Sequence, residues 1–125
     1  MDAIATGDSL DERREHEEHV RRALETMPTE GEIADMSARF KAISEPSRLK
    51  ILFALACGEM CVEHLTAAVR SNQSAVSHQL KTLRDYDIIK YRRSGKQVIY
   101  SVADEHIMTM LRVAKEHLNC DENDN

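Results

Sequence analysis

Apolar residues recur three to four positions apart through most of this chain, which predicts amphipathic helices. Ser-x-x-Glu at Ser9 and Thr-x-x-Glu at Thr29 are patterns typical of helix starts. Pro46 begins a further helix and Gly58 ends it, since proline suits the first turn and glycine the position after the last. The first half of the chain is therefore predicted to form a charged N-terminal helix followed by two more apolar ones.

The second half changes from helical spacing to β-prone runs and back again. Its predicted elements are a helix at 61–69, a break at 70–73, a helix to about residue 85, β-rich runs at 88–93 and 97–102, and a final helix from about 104. The runs flank Ser94-Gly95-Lys96, which predicts a β-hairpin. This order indicates a winged helix-turn-helix, mostly α with a small β-hairpin.

The length of 125 residues suits one domain with a single modest core. We divide the chain into a charged helical arm (1–28), the winged helix-turn-helix domain with its C-terminal helix (29–120) and a frayed acidic tail (121–125). The N-terminus lacks the pattern of a secretory signal, and no apolar run is long enough to span a membrane. We therefore expect a cytoplasmic protein without a membrane partner.

Charge is unevenly distributed along the chain. The net charge is −5, yet residues 46–102 carry nine bases and four acids while both flanking segments are acidic. A basic middle between acidic ends is compatible with contact to nucleic acid, although composition alone favours a salt-bridged solvated surface. Three Tyr, two Phe and no Trp provide little of the aromatic platform that single-stranded RNA modules use, so we favour double-stranded DNA.

The helix that follows the predicted turn has two chemically distinct faces. Val76, Leu80 and Leu83 are spaced for the core, and the opposite face carries short polar side chains and one lysine. Such a helix fits the DNA major groove, and a basic hairpin tip fits the phosphate backbone. A solvated helix beside a basic turn is the alternative. The candidate DNA-binding residues are Gln73, Ser74, Ser77, His78, Lys81, Arg92, Arg93 and Lys96.

The final helix carries four residues that commonly bind zinc. They are Asp104, His106, His117 and Cys120. Each alone has an ordinary explanation, as a helix cap, a solvated histidine or an incidental thiol. Together on one helix they indicate a metal site with no open position, which is structural or sensing rather than catalytic. Zn²⁺ is the expected ion, with Co²⁺ or Cd²⁺ as substitutes.

One copy of this helix cannot surround one ion. His106 and His117 are eleven residues apart, or roughly 16 Å along a helix. Ligands of one zinc ion lie within about 2.0–2.3 Å of it. An antiparallel copy of the helix from a second subunit would bring Asp104 and His106 to the partner's ligands. The spacing thus predicts a homodimer with antiparallel C-terminal helices and two equivalent sites.

Cysteine and histidine also occur together elsewhere. A possible second metal site combines His16 and His19 of the N-terminal helix with Cys61 and His64. A small buried cysteine and solvated histidines are the alternative. Three cysteines are an odd number and do not suggest a disulfide framework, and Cys57 lies in an apolar run, which predicts a core position. No nucleophile–base pair, open zinc motif or phosphate loop suggests an enzyme.

Three segments together resemble the ArsR–SmtB family of metal-responsive repressors. They are EPSRLKILFAL, the run SNQSAVSHQLKTLRDYDIIKYRRSGKQVIYSV and the Asp-x-His…His-x-x-Cys helix, and the likeness covers about residues 30–120. The resemblance implies a dimeric winged helix that binds an imperfect inverted repeat and leaves it on binding metal. It also implies that the recognition contacts fall on Gln73, Ser74, Ser77 and His78.

The resemblance extends to both candidate metal sites. The family's C-terminal zinc site takes Asp-x-His from one subunit and His plus Glu or His from the other. Asp104, His106 and His117 match this pattern, and Cys120 departs from it. In the family's other site, a cysteine is usually followed by Gly or Cys and then Asp, whereas Glu63 and His64 stand here. The alternatives are a sensor of a softer metal through Cys61 and His64, and a zinc-buffering protein without a DNA function.

Overall fold

The described part of the chain alternates between helices and a small sheet. The computed structural model describes residues 9–120. It contains helices α1 (Ser9–Thr26), α2 (Glu30–Ser44), α3 (Pro46–Cys57), α4 (Val62–Val69), α5 (Gln73–Asp85) and α6 (Glu105–Cys120), and strands β1 (Met60–Cys61), β2 (Ile89–Ser94) and β3 (Gln97–Val102). This order confirms the predicted winged helix-turn-helix, while the predicted tail at 121–125 lies outside the described residues.

The described chain divides into two compact units, residues 9–35 and residues 36–120. In the first, Thr29 and Glu32 make both hydrogen bonds of the predicted capping box. The Thr29 N–H donates to the Glu32 carboxylate at 2.9 Å, and the Glu32 N–H donates to the Thr29 hydroxyl at 3.1 Å. None of the residues of α1 is buried, and Arg21 bonds Glu25 at 2.8 Å as well as Glu18.

The second unit holds the hydrophobic core. Val76, Leu80 and Leu83 of α5 are each at most 2% exposed, which confirms their predicted inward face. They pack with residues of α3, α4, β2, β3 and α6 and with Ile88 just before β2; the residues from those elements are Ile51, Leu52, Leu55, Leu65, Ile89, Val102 and Leu111. The core therefore fixes the orientation of α5 and leaves its opposite face in solvent.

The predicted hairpin is one part of a three-stranded antiparallel sheet. Strands β2 and β3 pair from Ile89 opposite Val102 to Ser94 opposite Gln97, and Gly95 adopts the left-handed conformation (φ 64°) that the two-residue turn needs. The sheet order is β1-β3-β2, with Cys61 opposite Ile99. The sequence indicated a helix from Cys61, whereas Met60 and Cys61 form the short third strand and the helix begins at Val62.

The prediction that Cys57 belongs to the core is wrong. Its side chain is exposed, and its thiol lies 3.6 Å from the Phe53 carbonyl oxygen. The buried residues of α3 are Ile51, Leu52 and Leu55. Cys57 is two residues beyond Leu55, about 200° further around the helix, and therefore points away from that face.

Among the described residues, every helix falls short of the length and apolar character that crossing a bilayer requires.

Candidate nucleic-acid interface and metal-ligand helix

The N-terminal half of α5 presents a polar exposed face. The Asn72 side chain accepts a 2.9 Å hydrogen bond from the Ala75 N–H and so caps the helix. Four of the predicted contacts follow on exposed positions, namely Gln73, Ser74, Ser77 and His78. The structure therefore brings together hydroxyl, amide and imidazole groups at the projecting end of the helix, where they are available to the edges of DNA bases.

A half-buried arginine connects this helix to α3, and the sequence analysis did not predict it. Arg48 donates a 2.9 Å hydrogen bond to the Gln79 side-chain oxygen and a 2.6 Å bond to the Ala42 carbonyl. Glu45, the N-cap of α3, accepts from the Arg48 N–H at 3.1 Å. A hydrogen bond from the Ser47 N–H is the main reason that the pKa of Glu45 is lowered. Arg48 thus links the start of α3 to the middle of α5.

The predicted cations of the interface are not equally free. Lys81 bonds Asp85 at 3.0 Å, and Arg92 bonds Glu59 at 2.5 Å. The Arg92 hydrogen bond is also the main cause of the lowered pKa of Glu59. Arg93 and Lys96, by contrast, make no side-chain hydrogen bond or ion pair with any residue from 9 to 120. The tip of the hairpin therefore carries the more available charge.

The candidate zinc ligands lie at the two ends of α6. Asp104 precedes the helix and accepts a 3.1 Å hydrogen bond from the Ile107 N–H, which is the main cause of its lowered pKa. His106 Nδ1 is 3.6 Å from the same carboxylate oxygen. His117 and Cys120 occupy the other end and are exposed. Within residues 9–120 of one chain, no three Cys, His, Asp or Glu side chains gather closely enough to hold a metal ion.

Exposed apolar side chains separate the two ends of α6. Met110 is 36% exposed, Val113 49% and Leu118 78%. Beside them runs an apolar groove of about 790 Å³, lined by residues of α2, α3 and α6 that include Phe40 and Phe53. Helix α6 therefore combines the candidate metal ligands with an apolar surface that the single chain leaves open to solvent.

The possible second site has one buried and three exposed members. Cys61 is 5% exposed and pairs in the sheet through β1, whereas His64 is exposed near the start of α4. His16 and His19 are exposed on α1 in the other unit, with ring centroids 6.4 Å apart. The two pairs remain a predicted site.

Comparison with known proteins assigns the fold to a family. The model described as "Bacterial regulatory protein, arsR family" matches residues 45–91. A transcriptional repressor SmtB homolog of Synechocystis is 43% identical over 103 residues, covering 82% of this chain and 78% of the relative. The chain belongs to the arsR family of bacterial regulatory proteins.

Two further similarities support this membership. A cadmium resistance transcriptional regulatory protein CadC homolog of Staphylococcus aureus is 36% identical, covering 82% of this chain and 84% of the relative. A homodimeric winged helix-turn-helix DNA-binding domain from Mycobacterium bovis has a solved structure that superposes with a TM-score of 0.65 at 29% identity. That match covers 75% of this chain and 94% of the other. The relatives are thus transcriptional regulators.

The family match and the candidate ligands occupy different parts of the chain. Residues 45–91 run from the N-cap of α3 into β2, so they contain the α5 face, the Arg48–Gln79 bond and the pair Cys61 and His64. All four ligand candidates at the ends of α6 lie beyond this range. Family membership therefore supports the interface more directly than it supports the metal ligands.

A double-mutant cycle tests whether Arg48 holds α5 in place. We expect Arg48→Met and Gln79→Leu to show a coupling free energy of about 1 kcal/mol or more in urea unfolding, because the bond is charged and partly buried. The exposed Lys81–Asp85 pair is the control, with an expected coupling of about 0.3–0.5 kcal/mol. A coupling for Arg48 and Gln79 no larger than the control would contradict the assigned role.

Proposed function

We propose that this chain is a metal-responsive transcriptional repressor that binds operator DNA as a homodimer and is released by Zn²⁺ or a similar divalent ion. The similarity to a transcriptional repressor SmtB homolog and to a cadmium resistance transcriptional regulatory protein CadC homolog supports repression linked to metal. The polar face of α5 and the basic hairpin tip support binding to an imperfect inverted repeat, in which each subunit reads one half-site.

The register of α6 is the observation that carries the proposal. His106, Met110, Val113, His117 and Cys120 follow one another at spacings of four, three, four and three residues. All five lie within about 40° of His106 around the helix axis. This spacing is typical of a seam between two packed helices.

One antiparallel pairing satisfies the whole seam. When His106 faces the partner's His117, moving four residues inward on each helix places Met110 opposite the partner's Val113. Two exposed apolar residues thus become buried against each other in the register that brings the metal ligands together. The match between apolar and ligand positions supports a dimer whose two sites lie at the ends of the paired helices.

The donor set fits zinc. Two imidazole nitrogens, one carboxylate oxygen and one thiolate sulfur complete a four-coordinate site of the type that zinc accepts. The Asp104 carboxylate is already oriented by the Ile107 N–H, and its lowered pKa keeps it ionised. Zinc would join the two α6 helices at fixed separation. Co²⁺ and Cd²⁺ suit the same donors, Cd²⁺ through the thiolate.

Metal and DNA would act on opposite sides of the same core. Leu111 of α6 belongs to the core cluster that also contains Val76, Leu80 and Leu83 of α5. Bridging two α6 helices would fix one spacing between the two α5 helices of the dimer. Release follows if that spacing suits the operator less well than the metal-free one. Couplings of this kind are typically about 1–3 kcal/mol.

Two alternatives remain distinguishable. The CadC homolog is named for cadmium resistance, which favours a sensor of a softer metal through Cys61 and His64 as the second candidate. The other is a zinc-buffering protein without a DNA function. A buffer would bind zinc but would not bind a specific duplex in a salt-dependent way.

We expect Zn²⁺ to release the protein from an inverted repeat near its own gene in a band-shift titration that compares Zn²⁺, Cd²⁺, Co²⁺ and Ni²⁺. The coupling range above corresponds to a fall in affinity of about 5–150-fold. His106→Ala should abolish the zinc response without reducing binding in the absence of metal. The control variant is Cys61→Ser/His64→Ala, which should keep a normal release by Zn²⁺ if zinc acts through the α6 site.

The same titration separates the alternatives. A response that survives His106→Ala and disappears in Cys61→Ser/His64→Ala would assign sensing to the second site. Failure of every metal to release the operator complex would contradict metal sensing, and failure to bind the repeat at all would contradict the repressor proposal.

The apolar centre of the seam has its own test. Val113→Glu should shift the metal-free protein from dimer to monomer in sedimentation velocity, because the register buries two charges beside two methionines. Asn119→Glu adds the same charge to an exposed position of the same helix that lies about 140° around the axis from His106, away from the seam, and should remain dimeric. A Val113→Glu dimer as tight as the Asn119→Glu dimer would contradict the proposed pairing.

A further inference from the structure

The turn between α4 and α5 holds an arginine in a conformation that favours glycine. Arg70 follows the last residue of α4 with φ 54° and ψ 51°, the left-handed region, and its N–H bonds the Ala67 carbonyl at 3.3 Å. A side chain in this region carries a steric cost that glycine avoids. Asp87, with φ 58°, is the other non-glycine residue in the described chain with positive φ.

The end of α4 stabilises the backbone of Arg70, since the Ser71 N–H also bonds the Thr66 carbonyl at 3.1 Å, but the Arg70 side chain gains no partner within the described residues. Its guanidinium is exposed and makes no side-chain hydrogen bond or ion pair with any residue from 9 to 120. Other cations of the second unit do have partners: Arg48, Lys81, Arg92 and Arg112 make hydrogen bonds, and Arg84 stacks 5.0 Å above the Tyr91 ring. An exposed arginine with no internal partner is available to an anionic group outside the chain.

A second unengaged cation lies next to Arg70. Arg70 and Lys50, a residue of α3, both line a pocket of about 180 Å³, together with the exposed Ser71. No acidic residue of the described chain lines this pocket. Lys50 likewise has no side-chain partner in the described part of the chain. Helix α3 itself carries no acidic residue, and the carboxylate of its N-cap, Glu45, is held by hydrogen bonds from Arg48 and Ser47. The pocket is therefore locally basic.

The position of the pocket relates it to DNA. Its wall includes Ala75, Val76 and Gln79 of α5, and Ser71 lies two residues before the helix. The base-reading face of α5 begins with Gln73 and Ser74 just beyond the pocket. A helix bound in the major groove has sugar-phosphate backbone on both sides. The N-terminal end of α5 would therefore lie against a phosphate.

We propose that Arg70 and Lys50, with the Ser71 hydroxyl, form a binding site for a backbone phosphate of the DNA duplex, separate from the base-reading face of α5 and from the hairpin. This site rests on the proposed DNA-binding function and adds to it. It fixes α5 in the groove and carries no sequence information of its own.

A series at one position separates the charge from the backbone cost. Arg70→Gln keeps the strained side chain but loses the charge, Arg70→Lys keeps both, and Arg70→Gly loses both. Operator affinity is measured by fluorescence anisotropy between about 50 and 200 mM salt, where each phosphate contact contributes about 0.9 to the slope of log K against log[salt]. Thermal unfolding is measured in parallel.

We expect Arg70→Gln and Arg70→Gly each to reduce the slope by about 0.9 per protomer, to a similar extent on operator and on random duplex. Arg70→Lys should retain the slope. Arg70→Gly should also unfold at a higher temperature than Arg70→Gln. Asp87→Gly is the matched backbone control, which relieves the other left-handed residue and should leave the salt slope unchanged.

The outcomes distinguish this site from the function on which it rests. Failure of the unaltered protein to bind duplex DNA would overturn the repressor proposal as a whole. Normal binding with an unchanged slope in Arg70→Gln would overturn the phosphate site alone. A loss confined to operator DNA would also overturn it, because that result would assign Arg70 to base reading.

Discussion

The distance over which a metal ion binds its ligands is the constraint on which the proposed quaternary structure depends. Zinc holds its ligands at about 2.0–2.3 Å, whereas α6 separates His106 from His117 by roughly 16 Å of rigid helix. A single helix therefore cannot bring the two histidines to one ion. A second antiparallel helix removes the conflict, and the spacing of Met110 and Val113 provides an apolar contact in that same register.

The hydrophobic core connects the metal-ligand helix α6 to the DNA-facing helix α5. Leu111 anchors α6 in the cluster that contains the buried face of α5, and Arg48 ties α5 to α3 through Gln79. Residues 36–120 thus form a unit in which α5 and α6 share one packed interior. Close-packed interiors transmit displacement rather than absorbing it. A change in the spacing of two α6 helices would therefore change the spacing of two α5 helices.

Much of the fold followed from local patterns, and what did not follow depended on tertiary contacts. The inward face of α5 has a clear helical period, and the hairpin has β-rich runs around a glycine turn, so both were predicted. Strand β1 has only two residues and shows no periodicity. Cys57 lies in an apolar run, but it is on the exposed side of the last turn of α3. Its exposure depends on its angular position around α3, which the composition of the run does not show.

The residues of the candidate site were likewise predictable from the sequence only where they share one helix. The candidate contacts on α5 and the candidate ligands on α6 could be predicted as sets because each set lies on one helix with recognisable spacing. The partners of the charged residues could not, since Arg48 and Gln79 are 31 residues apart and Arg92 and Glu59 are 33 apart. Arg70 gave no sequence signal either, because its left-handed backbone depends on how α4 ends against α5.

The sharing of each metal site between two chains is tested most directly by counting zinc in a mixed dimer. One chain carries Asp104→Ala/His106→Ala and the other His117→Ala/Cys120→Ala, and different affinity tags allow the heterodimer to be purified. The unaltered dimer should bind two zinc ions at the α6 sites, each altered homodimer none, and the heterodimer one, since a single complete set of four ligands remains. Absence of zinc from the heterodimer would contradict the shared antiparallel site, and so would tight zinc binding by either altered homodimer that persists when Cys61→Ser/His64→Ala is added to both chains.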